Sequence, residues 1–220
     1  MSHRVRIEKS SFGKEKVFSR FEFLMRHLMP GKILDIGNLG RDRETAANDP
    51  FHPEWNAPMG GKIRDTAHEK SVVYGFDLFA PENPERYPNQ TKGDIQEGLP
   101  YEDLFFDTVY MGELIEHLDM PGKVLDEIYR VLAPNGVFIL DTPNPYSFTE
   151  MAKYVLLRVE DLCEPSHLLF YTPASLQAML EAHHFEITEL NTKLPKFLRP
   201  FPSTMVRGLG THLLIAAKKK

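Results

Sequence analysis

Three side chains that can carry protons or hold cations lie close together in the segment GELIEHL. They are Glu113, Glu116 and His117, and their i, i+3, i+4 spacing predicts one helical turn that presents all three on the same face. Carboxylates and imidazoles are common general acids and bases. We therefore take Glu116 and His117 as the candidate catalytic residues.

A second set of residues predicts a nucleoside-type cofactor. An apolar run containing Asp35 breaks into Gly37 and Gly40, which is typical of a buried parallel strand followed by a loop that approaches a ligand closely. Further along, the apolar stretch 72–76 ends in Asp77. A carboxylate at the tip of the second strand is where doubly wound folds bind the hydroxyls of a ribose.

The elements that must position these groups alternate between strands and helices, which predicts a mostly parallel sheet covered on both faces. The proline-rich stretch 79–93 has no helical period, so no helix is expected there. Strands are predicted at 32–36, 72–76, 107–111, 137–140, 186–190 and 213–217, and helices at 14–28, 61–70, 121–132, 146–159 and 173–182.

Composition restricts the class of protein. A chain of 220 residues, 42% hydrophobic, can bury one sizeable core, so one domain is expected. The net charge of −5 argues against nucleic-acid binding driven by overall charge, although both ends of the chain are basic. The single cysteine, Cys163, excludes an internal disulfide and suits a reducing compartment. No apolar run is long enough to cross a bilayer, so a cytoplasmic location is expected.

Five segments resemble, in order, those of class I S-adenosylmethionine (SAM)-dependent methyltransferases of the subgroup with EHL and LxPxG motifs, similar to quinone-biosynthesis O-methyltransferases. They span about 31–187 and read ILDIGNLG, VVYGFDLF, KGDIQEGLPYEDLFFDTVYMGELIEHL, LDEIYRVLAPNGVFILDTPNP and HLLFYTPASLQAMLEAHHFEI. The resemblance implies an α/β, doubly wound, Rossmann-like sheet. It would have seven strands, mostly parallel with an antiparallel last strand, and helices on both faces.

The resemblance also implies where SAM binds. Asp35, Gly37 and Gly40 would line its methionine part. The family usually reads D-x-G-x-G-x-G, and here Leu39 and Arg41 replace the second and third glycines. Leu39 is expected to narrow the approach of the backbone to the ligand, and Arg41 either pairs with the cofactor carboxylate or points into solvent.

The remaining implied cofactor contacts follow later strands. Asp77 would bind the ribose hydroxyls, Asp94 with Ile95 would contact adenine, and Glu113 would lie near the amino-acid end of SAM. Proteins that bind a nicotinamide dinucleotide carry a G-x-G-x-x-G fingerprint. This chain lacks two of those glycines, which excludes that cofactor.

The E-x-x-E-H pattern resembles the metal site of quinone-biosynthesis O-methyltransferases and small-RNA 2′-O-methyltransferases, and His167 falls where the RNA enzymes place another ligand histidine. The implied ligands are Glu113, Glu116, His117 and His167, and such a carboxylate and imidazole set suits Mg²⁺, Mn²⁺ or Zn²⁺. Two other roles stay open for His117, as a base or acceptor-binding residue and as a structural residue.

The resemblance therefore predicts a SAM-dependent methyltransferase for a small-molecule acceptor, with transfer to oxygen. The alternatives are a metal-assisted RNA 2′-O-methyltransferase and a non-catalytic SAM- or nucleoside-binding module. The predicted division of the single domain is an N-terminal helical cap (1–30), a SAM-binding core (31–143), and acceptor-side helices with closing strands (144–220). Acceptor recognition is expected from the N-terminal helix, 141–165 and the aromatic and basic loop 194–207.

Overall fold

Seven strands form one sheet in the computed structural model, which describes residues 12–39, 63, 70–81, 83–159 and 167–220. The strand order is β3-β2-β1-β4-β5-β7-β6; β1 to β5 run parallel, and β7 is antiparallel to both β5 and β6. This topology confirms the predicted doubly wound sheet with an antiparallel last strand. The strands are β1 (Lys32–Ile36), β2 (Val72–Asp77), β3 (Gln90–Lys92), β4 (Phe106–Gly112), β5 (Leu132–Pro143), β6 (Phe185–Thr192) and β7 (His212–Lys219).

Helices and short turns connect the strands. None of the helices in the described parts of the chain is long and apolar enough to cross a membrane. The α-helices are α1 (Arg20–His27), α2 (Pro121–Val131), α3 (Phe148–Ala152), which continues as a π-helical turn (Lys153–Leu157), α4 (Pro173–Ala182) and α5 (Ser203–Val206). The 3₁₀ turns are Pro84–Arg86, Ile95–Glu97, Ile115–His117 and Lys196–Leu198.

The core has two parts because successive residues of a buried strand point to opposite faces of the sheet. In β1, Leu34 belongs to the larger cluster, which includes the buried side of α2 and α4. Its neighbour Ile33 belongs to the second cluster, where Phe23 and Leu24 of α1 pack. Both faces of the sheet are therefore covered, as the alternating sequence predicts.

The N-terminal helix is shorter than predicted. It was expected over 14–28 but covers only Arg20–His27, and the chain before it runs extended. Phe12 bridges Leu190 of β6, and Val17 bridges Lys193 just beyond it. Backbone pairing with the sheet edge, together with complete burial of Val17, outweighs the helical spacing of the apolar residues.

Other boundaries also differ from the prediction. The strand β3 was not expected, because strands were predicted from apolar runs and β3 is a three-residue polar strand in the proline-rich stretch. It is held by backbone pairing with β2. The helix predicted at 146–159 begins at Phe148 after the cap of Ser147, turns into the π-helical segment and ends at Arg158 in a left-handed conformation. The helix predicted at 61–70 lies almost entirely outside the described residues.

Candidate functional site

The carboxyl ends of the parallel strands bring most of the predicted cofactor residues to one edge of the sheet. Asp35 in β1 is in register with Gly75 of β2 and Tyr110 of β4, so the residues that follow these strands start side by side. Asp77 ends β2, and Glu113 directly follows β4. Gly40 lies outside the described residues.

The loop after β1 is fixed by backbone geometry. Gly37 has φ +72°, in the left-handed region that favours glycine, and its N–H donates to the carbonyl of Phe76 at 2.8 Å. The side chain of Leu39 is buried, and its N–H donates to Asp77 Oδ2 at 2.9 Å. The departure from the family's glycine pattern at Leu39 thus places a side chain inside the protein and a backbone donor on Asp77.

A reciprocal pair of amide hydrogen bonds ties the same loop to β3. Asn38 Nδ2 donates to Gln90 Oε1, and Gln90 Nε2 donates back to Asn38 Oδ1, both at 2.8 Å. The pair passes directly over Gly75, where a Cβ atom would collide with both amides. The loop after β1 is therefore held to the edge of the sheet over a position where any side chain would have to displace the amide pair.

The carboxylate of Asp77 is buried and oriented by two backbone donors. Phe79 N–H donates to Oδ1 at 3.0 Å, and Leu39 N–H donates to Oδ2. Each oxygen keeps a further lone pair for another donor. The arrangement leaves Asp77 an oriented hydrogen-bond acceptor at the end of β2.

Asp94 follows β3 and caps the Ile95–Glu97 turn, with Oδ1 accepting from Gln96 N–H at 2.9 Å. A cleft of about 540 Å³ opens beside it, also lined by Phe76, Gly93 and Leu99. This cleft reaches Asp94 but is not lined by Asp35, Gly37, Asp77 or Glu113.

Glu113 does not face the other two members of the GELIEHL segment. Its backbone has φ +49°, and only Ile115–His117 forms a turn, so the predicted single helical face is absent. Its carboxylate instead contacts Arg20 Nη1 at 2.5 Å and His212 Nε2 at 2.6 Å. Burial raises the pKa of Glu113, but the Arg20 charge and the His212 hydrogen bond outweigh it and hold that pKa well below its usual range.

Arg20 also serves a second carboxylate, that of Asp141, which is buried near the carboxyl end of β5. Arg20 Nε lies 2.6 Å from Asp141 Oδ1, and the Tyr110 hydroxyl donates to Oδ2 at 2.6 Å. Burial raises the pKa of Asp141 despite the Arg20 charge. No pattern in the sequence singled out Arg20, His212 or Tyr110. For Asp141, the available signal was an acidic residue at the end of an apolar strand.

Glu116, His117 and His167 are brought together. One potential ligand atom from each lies within 4.8 Å of the others, and the two imidazole centroids are 4.7 Å apart. The carbonyl of Glu116 accepts hydrogen bonds from the N–H groups of Leu168 and Leu169, which holds the His167 segment beside the turn. Three of the four predicted metal ligands therefore converge, and Glu113 lies apart from them.

The Glu116 carboxyl is almost completely buried. Thr142 Oγ1 donates to its Oε2 at 2.9 Å, whereas Oε1 accepts no hydrogen bond from any of the described residues. Burial raises the pKa of Glu116 to about 8, and the neighbouring Glu113 charge adds to the rise. A buried carboxyl with one unsatisfied oxygen can hold a proton or a cation at that atom.

Comparison with known proteins supports the assignment of a family. The family described as "Methyltransferase domain" matches residues 54–190. A ubiquinone biosynthesis O-methyltransferase of Psychrobacter cryohalolentis is 35% identical over 136 residues, 54% of this chain and 53% of that protein. A demethylmenaquinone methyltransferase of Lactobacillus johnsonii is 33% identical over 153 residues, 61% of this chain and 62% of that protein. The chain thus covers less than two thirds of the length of either relative.

Solved structures support the fold. A SAM-dependent methyltransferase from Thermotoga maritima matches with a TM-score of 0.61 at 20% identity, covering 92% of this chain and 88% of the other. A 1,6-didemethyltoxoflavin N1-methyltransferase from Burkholderia thailandensis, solved with S-adenosylhomocysteine, matches with a TM-score of 0.56 at 20% identity, covering 91% and 76%.

Proposed function

Because this chain belongs to the methyltransferase domain family, which matches more than half of its length, we propose that it transfers a methyl group from SAM to an oxygen of a small-molecule acceptor. Membership confirms the resemblance found in the sequence. The names of the two relatives support a small-molecule acceptor, and the Psychrobacter protein is named as an O-methyltransferase.

The observation that carries the proposal is the convergence of acidic side chains at the carboxyl edge of the sheet. Ligands of open α/β sheets bind outside this edge, where the strand order reverses; here it reverses between β1 and β4. In the proposed site, Asp35, Gly37 and Gly40 line the methionine part of SAM and Asp77 binds the ribose. Asp94 and Ile95 contact adenine beside the cleft.

Methyl transfer to oxygen needs little covalent chemistry from the protein. An oxygen lone pair attacks the methyl carbon in line, the carbon–sulfur bond breaks, and its electron pair remains on sulfur in S-adenosylhomocysteine. A hydroxyl acceptor must also lose its proton. We assign that proton to Glu116 Oε1 or to His117, which lie together; burial raises the pKa of Glu116 to about 8, so its carboxylate form is a stronger base than that of an ordinary glutamate.

The residues around Glu116 also fit a divalent cation. Glu116, His117 and His167 supply one carboxylate and two imidazoles, and Glu116 Oε1, which accepts no hydrogen bond within the described parts of the chain, is an available ligand atom. Glu113 is left out of this set because Arg20 and His212 occupy its oxygens. Mixed carboxylate and imidazole ligands suit Mn²⁺ or Zn²⁺ better than Mg²⁺. Such an ion, when bound, lowers the pKa of a coordinated hydroxyl.

Calorimetric titration with SAM and S-adenosylhomocysteine tests the proposal first, followed by transfer of a radiolabelled methyl group to a panel of phenols, carboxylic acids and amines. We expect micromolar binding of both ligands and transfer to phenolic oxygen. Asp77→Asn should weaken S-adenosylhomocysteine at least about tenfold, since a ribose contact to a charged acceptor contributes roughly 1.5–3 kcal/mol. Exposed Glu186→Gln is the matched control.

The outcomes separate the alternatives. Binding of both ligands without transfer to any acceptor, RNA included, would favour a non-catalytic module. Transfer to RNA alone would favour the 2′-O-methyltransferase. No binding of either ligand would contradict the proposal at its first step.

A further inference from the structure

A run of apolar side chains is exposed where the chain leaves the carboxyl end of β5. In and beside the π-helical turn, Tyr154, Val155, Leu156 and Leu157 are consecutive and all more than half exposed, Leu156 at 77%. An ordinary surface helix would hide such residues on one face. We call the following set the apolar surface: Phe148, Met151, Tyr154, Val155, Leu156, Leu157, Val159, Phe197, Phe201 and Met205.

The two segments of the apolar surface are in contact. The rings of Phe148 in α3 and Phe197 in the Lys196–Leu198 turn have their centroids 5.8 Å apart. Phe201 and Met205 follow on the same segment as Phe197, and both are exposed. The exposed apolar side chains therefore form one surface rather than two separate patches.

Cations border the apolar surface on the side of the Lys196–Leu198 turn. Lys16 Nζ donates to the carbonyl of Arg199 at 2.8 Å, and Arg207 donates to the carbonyl of Lys14 at 3.3 Å. Lys196 lies on the turn itself. Among the described residues, no acidic side chain forms an ion pair with any of these five cations. The border is thus a local excess of positive charge on a chain whose net charge is −5.

We propose that the apolar surface docks this protein on an anionic lipid bilayer. Exposed aliphatic and aromatic side chains can insert at the level of the headgroups while the bordering cations contact anionic lipids. The inference is independent of the methyltransferase proposal, because it rests on the exposure and charge of residues that are not among the proposed cofactor or catalytic residues. Docking through the apolar surface orients the protein with α3, which follows the end of β5, at the membrane.

Two other occupants fit the surface less well. Single-stranded RNA is bound by basic grooves with aromatic stacking platforms, which gives no role to consecutive exposed leucines such as Leu156 and Leu157. A two-fold contact with a second copy would bring the same positive border from both copies to one interface, where like charges repel. A negatively charged bilayer satisfies both the apolar side chains and the cations.

Sedimentation of the full chain with vesicles tests the inference, using phosphatidylcholine alone or with 30% phosphatidylglycerol as probes. We expect at least about tenfold stronger partitioning onto the anionic vesicles, weakened by raising NaCl from 100 to 500 mM, the direction that electrostatic screening predicts. Leu156→Asp/Leu157→Asp should reduce binding about tenfold or more. Leu104→Asp, an exposed leucine just before β4 at the opposite edge of the sheet, should not.

The charged border is tested separately, so that the inference survives a poorly folded leucine variant. Lys196→Glu/Arg199→Glu should lower binding to anionic vesicles only, whereas Lys218→Glu/Lys220→Glu at the far end of β7 should not. Equal binding to both vesicles, or no binding, would overturn the proposal. A dimer detected by light scattering and dissociated by Leu156→Asp/Leu157→Asp would also overturn it. The same holds for RNA binding that Lys196→Glu/Arg199→Glu abolishes, if the protein does not bind vesicles.

Discussion

Arg20 lies 2.5 Å from Glu113 although 93 positions separate them in the chain, and this pair joins the N-terminal helix to the residue that follows β4. The same guanidinium reaches the buried Asp141, so one cation serves two carboxylates. An unpaired carboxylate in a buried position destabilises the folded protein, so both acids can stay ionised only while Arg20 compensates their charge. The helix α1 is thereby part of the candidate site and not only a cover for the sheet.

Removing this cation should destabilise the protein strongly. We expect Arg20→Gln to lower the free energy of unfolding by about 3–5 kcal/mol, since it removes the guanidinium that compensates the buried carboxylate of Asp141. Arg26→Gln is the control, because Arg26 pairs with Glu15, Glu22 and Glu189 nearer the surface and each exposed pair contributes roughly 0–1 kcal/mol. Urea denaturation measures both, and equal losses would contradict the role given to Arg20.

The sequence predicted the sheet well because strand order and direction follow from buried apolar runs and their connections. It placed Asp35 within β1 and Asp77 directly after the apolar run of β2 for the same reason, whereas β3, the strand that precedes Asp94, was not predicted. It did not predict the partners of Glu113. Arg20 and His212 are distant in sequence, and no local pattern indicates that two helices or strands will bring their side chains together.

The grouping of Glu116, His117 and His167 also depends on contacts that no local sequence pattern indicates. Helical spacing in GELIEHL predicted three side chains on one face, but the left-handed backbone of Glu113 turns its carboxylate away. Glu116 and His117 then meet His167, which comes from a segment held by two backbone hydrogen bonds to Glu116. Residue types near the site were therefore predictable, whereas their grouping depended on tertiary contacts.

Glu116 should make stability depend on pH in the metal-free protein. Its folded pKa is about 8 and its ordinary value is 4.5, so the folded chain binds this proton more tightly than the unfolded chain. Stability contributed by the protonated carboxyl is present below pH 4.5 and is lost as the pH rises towards 8. The slope approaches about 1.4 kcal/mol per pH unit within this window.

Urea denaturation at pH 5, 6, 7 and 8 in the presence of EDTA measures this dependence. The Glu116→Gln variant should lose most of this dependence of stability on pH, because the amide has the shape of the carboxyl group and does not titrate. Glu150→Gln, which removes a more exposed carboxylate paired with Lys153, serves as control. A difference between wild type and Glu116→Gln that stays constant with pH would refute the raised pKa.

Gly75 should be required for the amide pair over the loop after β1. The Cβ of Gly75→Ala would displace the ends of Gln90 and Asn38, both flexible side chains, so we expect a loss of about 1–2 kcal/mol from the two hydrogen bonds. Binding of S-adenosylhomocysteine should weaken as the loop loosens. In a double-mutant cycle, Gln90→Ala should cost less in the Gly75→Ala background than alone; additive losses would show that the clash lies elsewhere.

Mn²⁺ and Zn²⁺ should stabilise the wild-type protein through Glu116, His117 and His167. An ion at one hundred times its dissociation constant adds roughly 2.7 kcal/mol, which thermal unfolding detects as a rise in Tm. Glu116→Gln, His117→Ala and His167→Ala should each abolish the rise, whereas His183→Gln, at the end of α4 and hydrogen-bonded to Asp126, should retain it.

The decisive variant is Glu113→Gln. It should retain the metal-dependent rise even though its metal-free Tm is lower, because Arg20 and His212 already hold that side chain. Loss of the rise in Glu113→Gln would restore the four-residue ligand set predicted from the sequence, and no rise in the wild type would leave Glu116 or His117 to act as a base without a metal.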